Sequence, residues 1–271
     1  TGSGLQNRDE EMFSHKPFAV IADAFARAGI ATLRYDDRGF GESTGDVVLC
    51  TTEDLKNDAL AGVKLLRDRF ERVGVIGHSE GGTIALMLAG ERQVDFAVSL
   101  AGMIVSGAET LLAQNRRAFE SAGLPESEVE AFARLLSDTF TAIRTRAPLP
   151  SADNYDITDA LRKNYAAALP SFRTPYMEFF LGLDLSASLS GITCPVMALN
   201  GTKDTQVQCD RNIAVLKAGL PSKSRSVIRA EDGLNHLFQH CVTGEVSEYK
   251  NIEETFSPEV ISRMISCLKA L

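Results

Sequence analysis

The segment GHSEG at residues 77–81 sets a serine between two glycines, directly after an apolar run and directly before a predicted helix. A sharp strand-to-helix turn needs small residues on both sides of the serine, and it lifts the Ser79 hydroxyl above the end of the strand. The positive end of the following helix favours negative charge that develops there. Ser79 is therefore a candidate nucleophile, and a non-catalytic serine turn is the competing interpretation.

A serine hydroxyl needs a general base, and the chain supplies a histidine and an acid in matching positions. His236 follows the last predicted strand, and Asp204 follows the strand before it. Open α/β sheets bind their ligands at the C-terminal ends of parallel strands. In this arrangement His236 accepts the Ser79 proton, and Asp204 orients the imidazole. Asp232, four residues before His236, is the rival acid.

Alternating strands and helices must position these side chains. Short apolar runs predict strands at residues 30–35, 73–76, 94–100, 196–200 and 226–229. Apolar residues at helical spacing predict helices between the strands and after residue 257. This alternation indicates an α/β fold with a mostly parallel sheet flanked by helices.

The alternation is interrupted once. Between about residues 106 and 190 the pattern predicts helices and turns but no strand. We therefore expect a helical cap at residues 104–190, inserted into an α/β core formed by residues 1–103 and 191–271. The strands 196–200 and 226–229 belong to the second part of that core.

Composition excludes several classes of protein. The 271 residues carry 28 lysines and arginines against 36 aspartates and glutamates, a formal net charge of −8. Nucleic-acid binding depends on basic residues that neutralise phosphates, so no nucleic-acid partner is expected. No uncharged apolar run reaches the roughly 18–20 residues of a membrane span. The compartment stays open between cytoplasmic and periplasmic or secreted.

Metal and cofactor chemistry is not indicated either. The five cysteines are widely spread without a C-x-x-C pair, which indicates neither a disulfide framework nor a zinc site. His236 and His240 have the spacing of a zinc-binding helix, but the glutamate of H-E-x-x-H is missing. We therefore expect no metal and no cofactor.

Five stretches resemble segments of one known family: residues 1–10 (TGSGLQNRDE), 33–43 (LRYDDRGFGES), 77–82 (GHSEGG), 194–204 (CPVMALNGTKD) and 233–236 (GLNH). On these stretches the chain resembles α/β-hydrolases of the serine hydrolase_4 / dienelactone-hydrolase-like group, near the EstD-type bacterial esterases. The resemblance implies an α/β-hydrolase fold, and hydrolysis of carboxylic esters by a triad of Ser79, Asp204 and His236.

The resemblance also implies an oxyanion hole made of two backbone N–H groups. The N–H of Glu80, the residue after the nucleophile, is one of them. The other comes from the first loop, where Ser3 is our choice and Leu5 the second. Thr1 and Gly2 stand where many relatives have His-Gly, so this loop departs from the family pattern.

Substrate contacts are expected from the same loop and from the cap. The aromatic residues of the cap favour an apolar acyl group. The expected substrate-binding residues are Leu5, Gln6, Phe140 and Phe179. Residues 6–10 could polarise a substrate or brace the loop through salt bridges, and His78 is expected to pack and to hydrogen-bond.

The sequence predicts a small-molecule ester as the substrate, with a short to medium or aromatic acyl group. Two alternatives stay open: an aminopeptidase or amidase on the same fold, and a non-catalytic ligand-binding protein. A homodimer is a candidate assembly. Since an oxyanion loop follows a central strand, we also expect further strands ahead of Thr1.

Overall fold

The computed structural model describes residues 1–271, apart from the side chain of Lys223. Its helices and strands in chain order are α1 (Pro17–Arg27), α2 (Thr52–Arg67), β1 (Val75–His78), α3 (Glu80–Gly90), β2 (Ala97–Leu100), α4 (Gly107–Ser121), α5 (Glu126–Thr145), α6 (Asp159–Phe172), α7 (Pro175–Gly182), β3 (Val196–Gly201), α8 (Cys209–Gly219), β4 (Val227–Glu231) and α9 (Pro258–Lys269). None of the described helices has the length and apolar character that crossing a bilayer needs.

The four strands form one parallel sheet in the order β1-β2-β3-β4. In its register Ser99 of β2 lies opposite Gly77 of β1 and Ala198 of β3. Because the strands are parallel, the turns that follow β1, β3 and β4 emerge at the same edge of the sheet. The predicted α/β architecture is confirmed, and this edge brings the candidate residues together.

Helices cover both faces of the sheet, as a buried parallel sheet requires. On one face, Phe25 of α1 and Met264 of α9 pack against Leu100 and Leu199 of the central strands. On the other face, α3 lies so close to β2 that a Cβ on Gly82 would stand 2.9 Å from Ser99 Oγ. The central strands are buried on both faces, which explains why most of their residues are apolar.

Residues 30–35 do not form the predicted strand. In the described chain the backbone of residues 31–35 makes no hydrogen bond, and Leu33 and Tyr35 are 41% and 40% exposed. A cavity of about 370 Å³ is lined both by this segment and by Ile76 of β1. An apolar pattern yields a strand only where another strand pairs with it, and β1 pairs with β2 alone. The strands expected ahead of Thr1 stay a prediction.

The chain divides into two compact units. One contains the sheet and consists of residues 1–47, 53–104 and 185–271, and we call it the sheet unit. The other, the helical unit, consists of residues 48–52 and 105–184. The helical unit has its own apolar core, with Ala131, Phe132, Leu135, Leu136, Phe140, Ile157, Leu161, Tyr165 and Leu181 buried in it.

Candidate active site

Ser79 occupies a strained turn between β1 and α3. Its backbone has φ 53° and ψ −118°, a conformation that residues with a side chain rarely adopt. The Ser79 N–H donates to the Leu100 carbonyl oxygen at 2.8 Å, which anchors the turn to the end of β2. Strain of this kind costs on the order of 1–3 kcal/mol and is concentrated at functional sites.

The glycines around Ser79 are required by close backbone contacts. A Cβ on Gly77 would lie 1.9 Å from the Gly81 carbonyl oxygen, and one on Gly81 would lie 2.5 Å from the Thr1 carbonyl oxygen. Both contacts involve backbone atoms, so no side-chain rotation can relieve them. The tight turn therefore depends on these two positions lacking a side chain.

Gly77→Ala is expected to lower the free energy of unfolding by about 3 kcal/mol, because the added methyl group overlaps backbone atoms. Urea unfolding measures this change. Gly90→Ala, at the end of α3, is the matched control, since its Cβ would meet only Ile192 Cγ1 at 3.9 Å. Alanine favours the helix there, so the control is expected to be neutral or slightly stabilising. Equal losses in both variants would contradict the steric interpretation.

Asp204 and His236 form a buried acid–base pair. His236 Nδ1 lies 2.7 Å from Asp204 Oδ2, and the two side chains are 5% and 0% exposed. Asp204 accepts three further hydrogen bonds, from Asn200 Nδ2 and from the backbone N–H groups of Gln206 and Val207. A carboxylate only accepts, so Nδ1 carries a proton, and in the neutral imidazole Nε2 then keeps its lone pair. This is the tautomer that a general base requires.

The rival residues lie elsewhere in the sheet unit. Asp232 is exposed and accepts the Thr202 hydroxyl at 3.2 Å, so it is not the partner of His236. His240 is exposed, and its Nδ1 lies 2.9 Å from Glu254 Oε2.

The base lies beside the nucleophile turn. His78, the residue before Ser79, is 2.8 Å through its Nε2 from the His236 carbonyl oxygen, and the two imidazole centroids are 4.6 Å apart. Within the described chain, the Ser79 hydroxyl and His236 Nε2 are not in hydrogen-bond contact. Such contacts are often long without substrate and tighten when it binds.

The first ten residues, which we call loop 1–10, pack against the nucleophile turn. The Gly81 N–H donates to the Thr1 carbonyl oxygen at 2.9 Å, and a Cβ on Gly2 would lie 3.4 Å from Ser79 Cβ. Of the two predicted oxyanion donors, Glu80 is the first residue of α3, and Ser3 is exposed next to Gly2. The assignment of these two N–H groups to an oxyanion hole stays a prediction.

The four predicted substrate-binding residues fall into different surroundings. Leu5 is 48% exposed, whereas the backbone of Gln6 is tied to Asp37 by two hydrogen bonds of 3.0 Å. In the helical unit, Phe140 is 1% exposed and packs edge-on against Phe172, so it is a core residue of that unit. Phe179, in α7, is partly exposed.

Ion pairs brace loop 1–10, as one of the two sequence interpretations predicts. Arg8 donates to both carboxylate oxygens of Asp36, at 3.0 and 2.9 Å. The Asp36 pKa is held well below its usual range, chiefly by the hydrogen bond from the Arg8 side chain. Arg34 pairs with Asp9 in the same region.

Two residues of the site have no sequence signal of their own. Asn200 holds the Asp204 carboxylate, and Glu10 is fully buried against His78 and the Gly2 N–H. Glu10 stands within the charged run of loop 1–10, where its neighbours form surface ion pairs, and nothing in that pattern distinguishes it. A polar residue at the end of a buried strand is the only hint for Asn200.

A parallel sheet with a serine at a strained strand-to-helix turn, and a later Asp–His pair at the same edge, defines an α/β-hydrolase. The sequence matches the Hydrolase_4 family, described as serine aminopeptidase, S33, over residues 14–238. The chain therefore belongs to this family of α/β-hydrolases, and the resemblance found in the sequence is confirmed.

Among curated proteins the chain is similar to esterase EstD of Thermotoga maritima, with 26% identity over 249 residues. That match covers 90% of this chain and 54% of EstD, so the chain spans about half the length of this relative. A solved esterase of Pyrococcus furiosus, Pf2001, shares the fold, with a TM-score of 0.56 at 20% identity over 93% of this chain and 74% of that one. So does the monoacylglycerol lipase of Paleococcus ferrophilus, with a TM-score of 0.52 at 16% identity over 97% and 91% of the two chains.

Proposed function

We propose that this protein is a serine hydrolase that cleaves carboxylic esters through an acyl-enzyme on Ser79. The observation that carries the proposal is the buried Asp204–His236 pair, 2.7 Å between Oδ2 and Nδ1, at the same sheet edge as the strained Ser79 turn. Membership of the family and the esterase names of EstD and Pf2001 support it.

The mechanism follows from the positions of the protons. His236 Nε2 takes the Ser79 proton as the hydroxyl oxygen attacks the ester carbonyl carbon. The backbone N–H of Glu80 and one from loop 1–10 stabilise the negative oxygen of the tetrahedral intermediate. His236 then returns the proton to the departing alcohol, which leaves an acyl ester on Ser79. Water activated by His236 hydrolyses that ester and releases the acid, and no cofactor takes part.

We propose short to medium or aromatic acyl groups as the preferred acids. The aromatic residues of the insertion support this proposal, because apolar and aromatic side chains predominate in small-molecule pockets. The second candidate is cleavage of an aminoacyl amide, because the family that matches is described as serine aminopeptidase. That reaction uses the same triad and differs in the group that departs.

A substrate panel separates these candidates. The purified protein is expected to hydrolyse p-nitrophenyl esters from acetate to octanoate and the benzoate, with kcat/KM at least about 100-fold above that for aminoacyl p-nitroanilides. It should also react with a fluorophosphonate, which labels an activated serine. Faster cleavage of the anilides would establish the aminopeptidase. A protein that turns over no substrate and takes up no label would contradict both enzymatic proposals.

A further inference from the structure

A buried chain of hydrogen bonds crosses the site beside Ser79. Glu10 Oε1 accepts the Gly2 backbone N–H at 2.6 Å and lies 2.8 Å from His78 Nδ1. On the other side of the ring, His78 Nε2 lies 2.8 Å from the His236 carbonyl oxygen. These hydrogen bonds therefore connect three parts of the site: loop 1–10, the nucleophile turn and the turn that carries the base.

The partners of His78 determine where its protons lie. A backbone carbonyl oxygen only accepts, so Nε2 carries a proton. Glu10 Oε1 already accepts the Gly2 N–H, and as a carboxylate oxygen it also accepts from Nδ1, which then carries a proton too. By this count the ring is an imidazolium ion facing a carboxylate. Burial alone would lower the pKa of His78, but the attraction of Glu10 outweighs it, so the pKa is raised above its ordinary value.

The pair lies in apolar surroundings. Glu10 and His78 are 0% and 5% exposed, and in the described chain Glu10 Oε2 has no hydrogen-bond partner. Both residues border a cavity of about 10 Å³ whose other walls are apolar, formed by Pro17, Phe18, Ile21, Leu100, Leu237 and Phe256. A buried ion pair often stabilises a fold no more than apolar side chains of the same volume would. What distinguishes this pair is that its hydrogen bonds end on backbone groups of two site loops.

We propose that Glu10 and His78 are positioning residues, which hold the Gly2 backbone and the His236 backbone in fixed places relative to Ser79. The catalytic meaning of this pair rests on the proposed function. Loop 1–10 carries a predicted oxyanion donor, and His236 is the proposed base. The pair therefore positions both the group that stabilises the oxyanion and the group that takes the Ser79 proton. A displacement of about 1 Å at such groups costs on the order of 100-fold in rate.

Glu10→Gln tests the proposal without changing the volume of the side chain. If the amide oxygen of the glutamine faces the Gly2 N–H and His78 Nδ1, the single proton of the neutral ring must lie on Nδ1. His78 Nε2 then has a lone pair facing the His236 carbonyl oxygen, and that hydrogen bond is lost. If instead the amide NH₂ group donates to Nδ1, this donor also faces the Gly2 N–H donor, and the hydrogen bond to Gly2 is lost. With glutamine at position 10 neither orientation satisfies both ends of the hydrogen-bond chain, so one of the two backbone anchors must be lost.

The first measurement needs no substrate. The chain has four histidines, and ¹⁵N NMR of labelled protein reports the protonation of each ring. The signals that disappear in the His78→Asn variant are those of His78. Near pH 8 an unperturbed histidine, with a pKa of about 6.5, is neutral. We expect both His78 nitrogens to carry protons in the wild type and one of them to be lost in Glu10→Gln. A neutral His78 ring in the wild type at this pH would overturn the proposal, even if the variant failed to fold.

The second measurement is kinetic and separates positioning from folding. With p-nitrophenyl butyrate, and with active enzyme counted by fluorophosphonate titration, Glu10→Gln is expected to lower kcat by about 10- to 100-fold and to change KM by less than about twofold. Glu11→Gln, an exposed neighbour paired with Lys16, is the matched control and should stay within about twofold. A folded Glu10→Gln variant whose kcat per titrated site stays within twofold of the wild type would overturn the proposal. A wild type inactive on all esters contradicts the proposed function, and the NMR result still decides the pairing.

Discussion

Ser79→Ala is expected to lower kcat for ester hydrolysis by roughly 10⁴- to 10⁶-fold. In the proposed mechanism the hydroxyl oxygen forms the bond to the acyl carbon, and no other described residue is placed to replace it at the end of β1. What activity remains would come from the oxyanion donors and from His236 acting on water. The fluorophosphonate label should disappear from the same variant, because it attaches to the Ser79 oxygen.

The fold should survive this change, which makes the loss specific to chemistry. The hydroxyl makes no hydrogen bond in the described chain, whereas the backbone N–H keeps its bond to the Leu100 carbonyl oxygen. We expect the free energy of unfolding to change by less than about 0.5 kcal/mol, measured by urea unfolding. Ser262→Ala, an exposed serine on α9, is the control for the substitution itself. A Ser79→Ala variant that retains a tenth of wild-type activity would show that the nucleophile is another residue.

The sheet could be predicted because its central strands are buried on both faces. Val196–Gly201 is buried at every position, and its first four residues form a continuous apolar run. The grouping of the candidate triad could also be predicted, because the turns that follow parallel strands all lie at the same end of the sheet. Contact between Asp204 and His236 depends only on these two facts and on the length of the two turns.

Residues 30–35 show the limit of the same reasoning. The run IATLRY has the apolar content of a strand, but a strand is defined by hydrogen bonds to a neighbour that the run itself does not contain. In the described chain the backbone of residues 31–35 makes no hydrogen bond, and Leu33 is exposed. The apolar pattern of a segment therefore indicates that it can pair as a strand. Which strand it pairs with, if any, is decided by the tertiary structure.

Glu10 shows a second limit, which concerns charge. In a run such as NRDEE every acid has the same local signature, and the sequence cannot separate an ion pair on the surface from one in the core. The difference arises because β1, loop 1–10 and the His236 turn converge on one acid: Glu10 is fully buried, while Glu11 next to it pairs with Lys16 at the surface. Buried polar residues of this kind become visible only when the fold is known.

Asp204→Asn is expected to lower kcat by about 10³- to 10⁴-fold, because it fixes His236 in the wrong tautomer. The Asp204 Oδ1 oxygen accepts N–H groups from Gln206 and Val207, at 2.8 and 2.9 Å. An asparagine satisfies these two donors only with its amide oxygen, which turns its NH₂ group toward His236. The imidazole must then accept at Nδ1 and carry its proton on Nε2, where it can no longer take the Ser79 proton.

Asp232→Asn is the matched control, since it makes the same chemical change four residues before the base. Asp232 is exposed and contacts Thr202, so the kcat of the Asp232→Asn variant should stay within about threefold of the wild type. Steady-state kinetics of both variants on p-nitrophenyl butyrate, with thermal unfolding to verify that each is folded, measures the contrast. A large loss in Asp232→Asn with little loss in Asp204→Asn would reverse the assignment. It would mean that the turn after β4 rearranges when substrate binds and brings its own acid to His236.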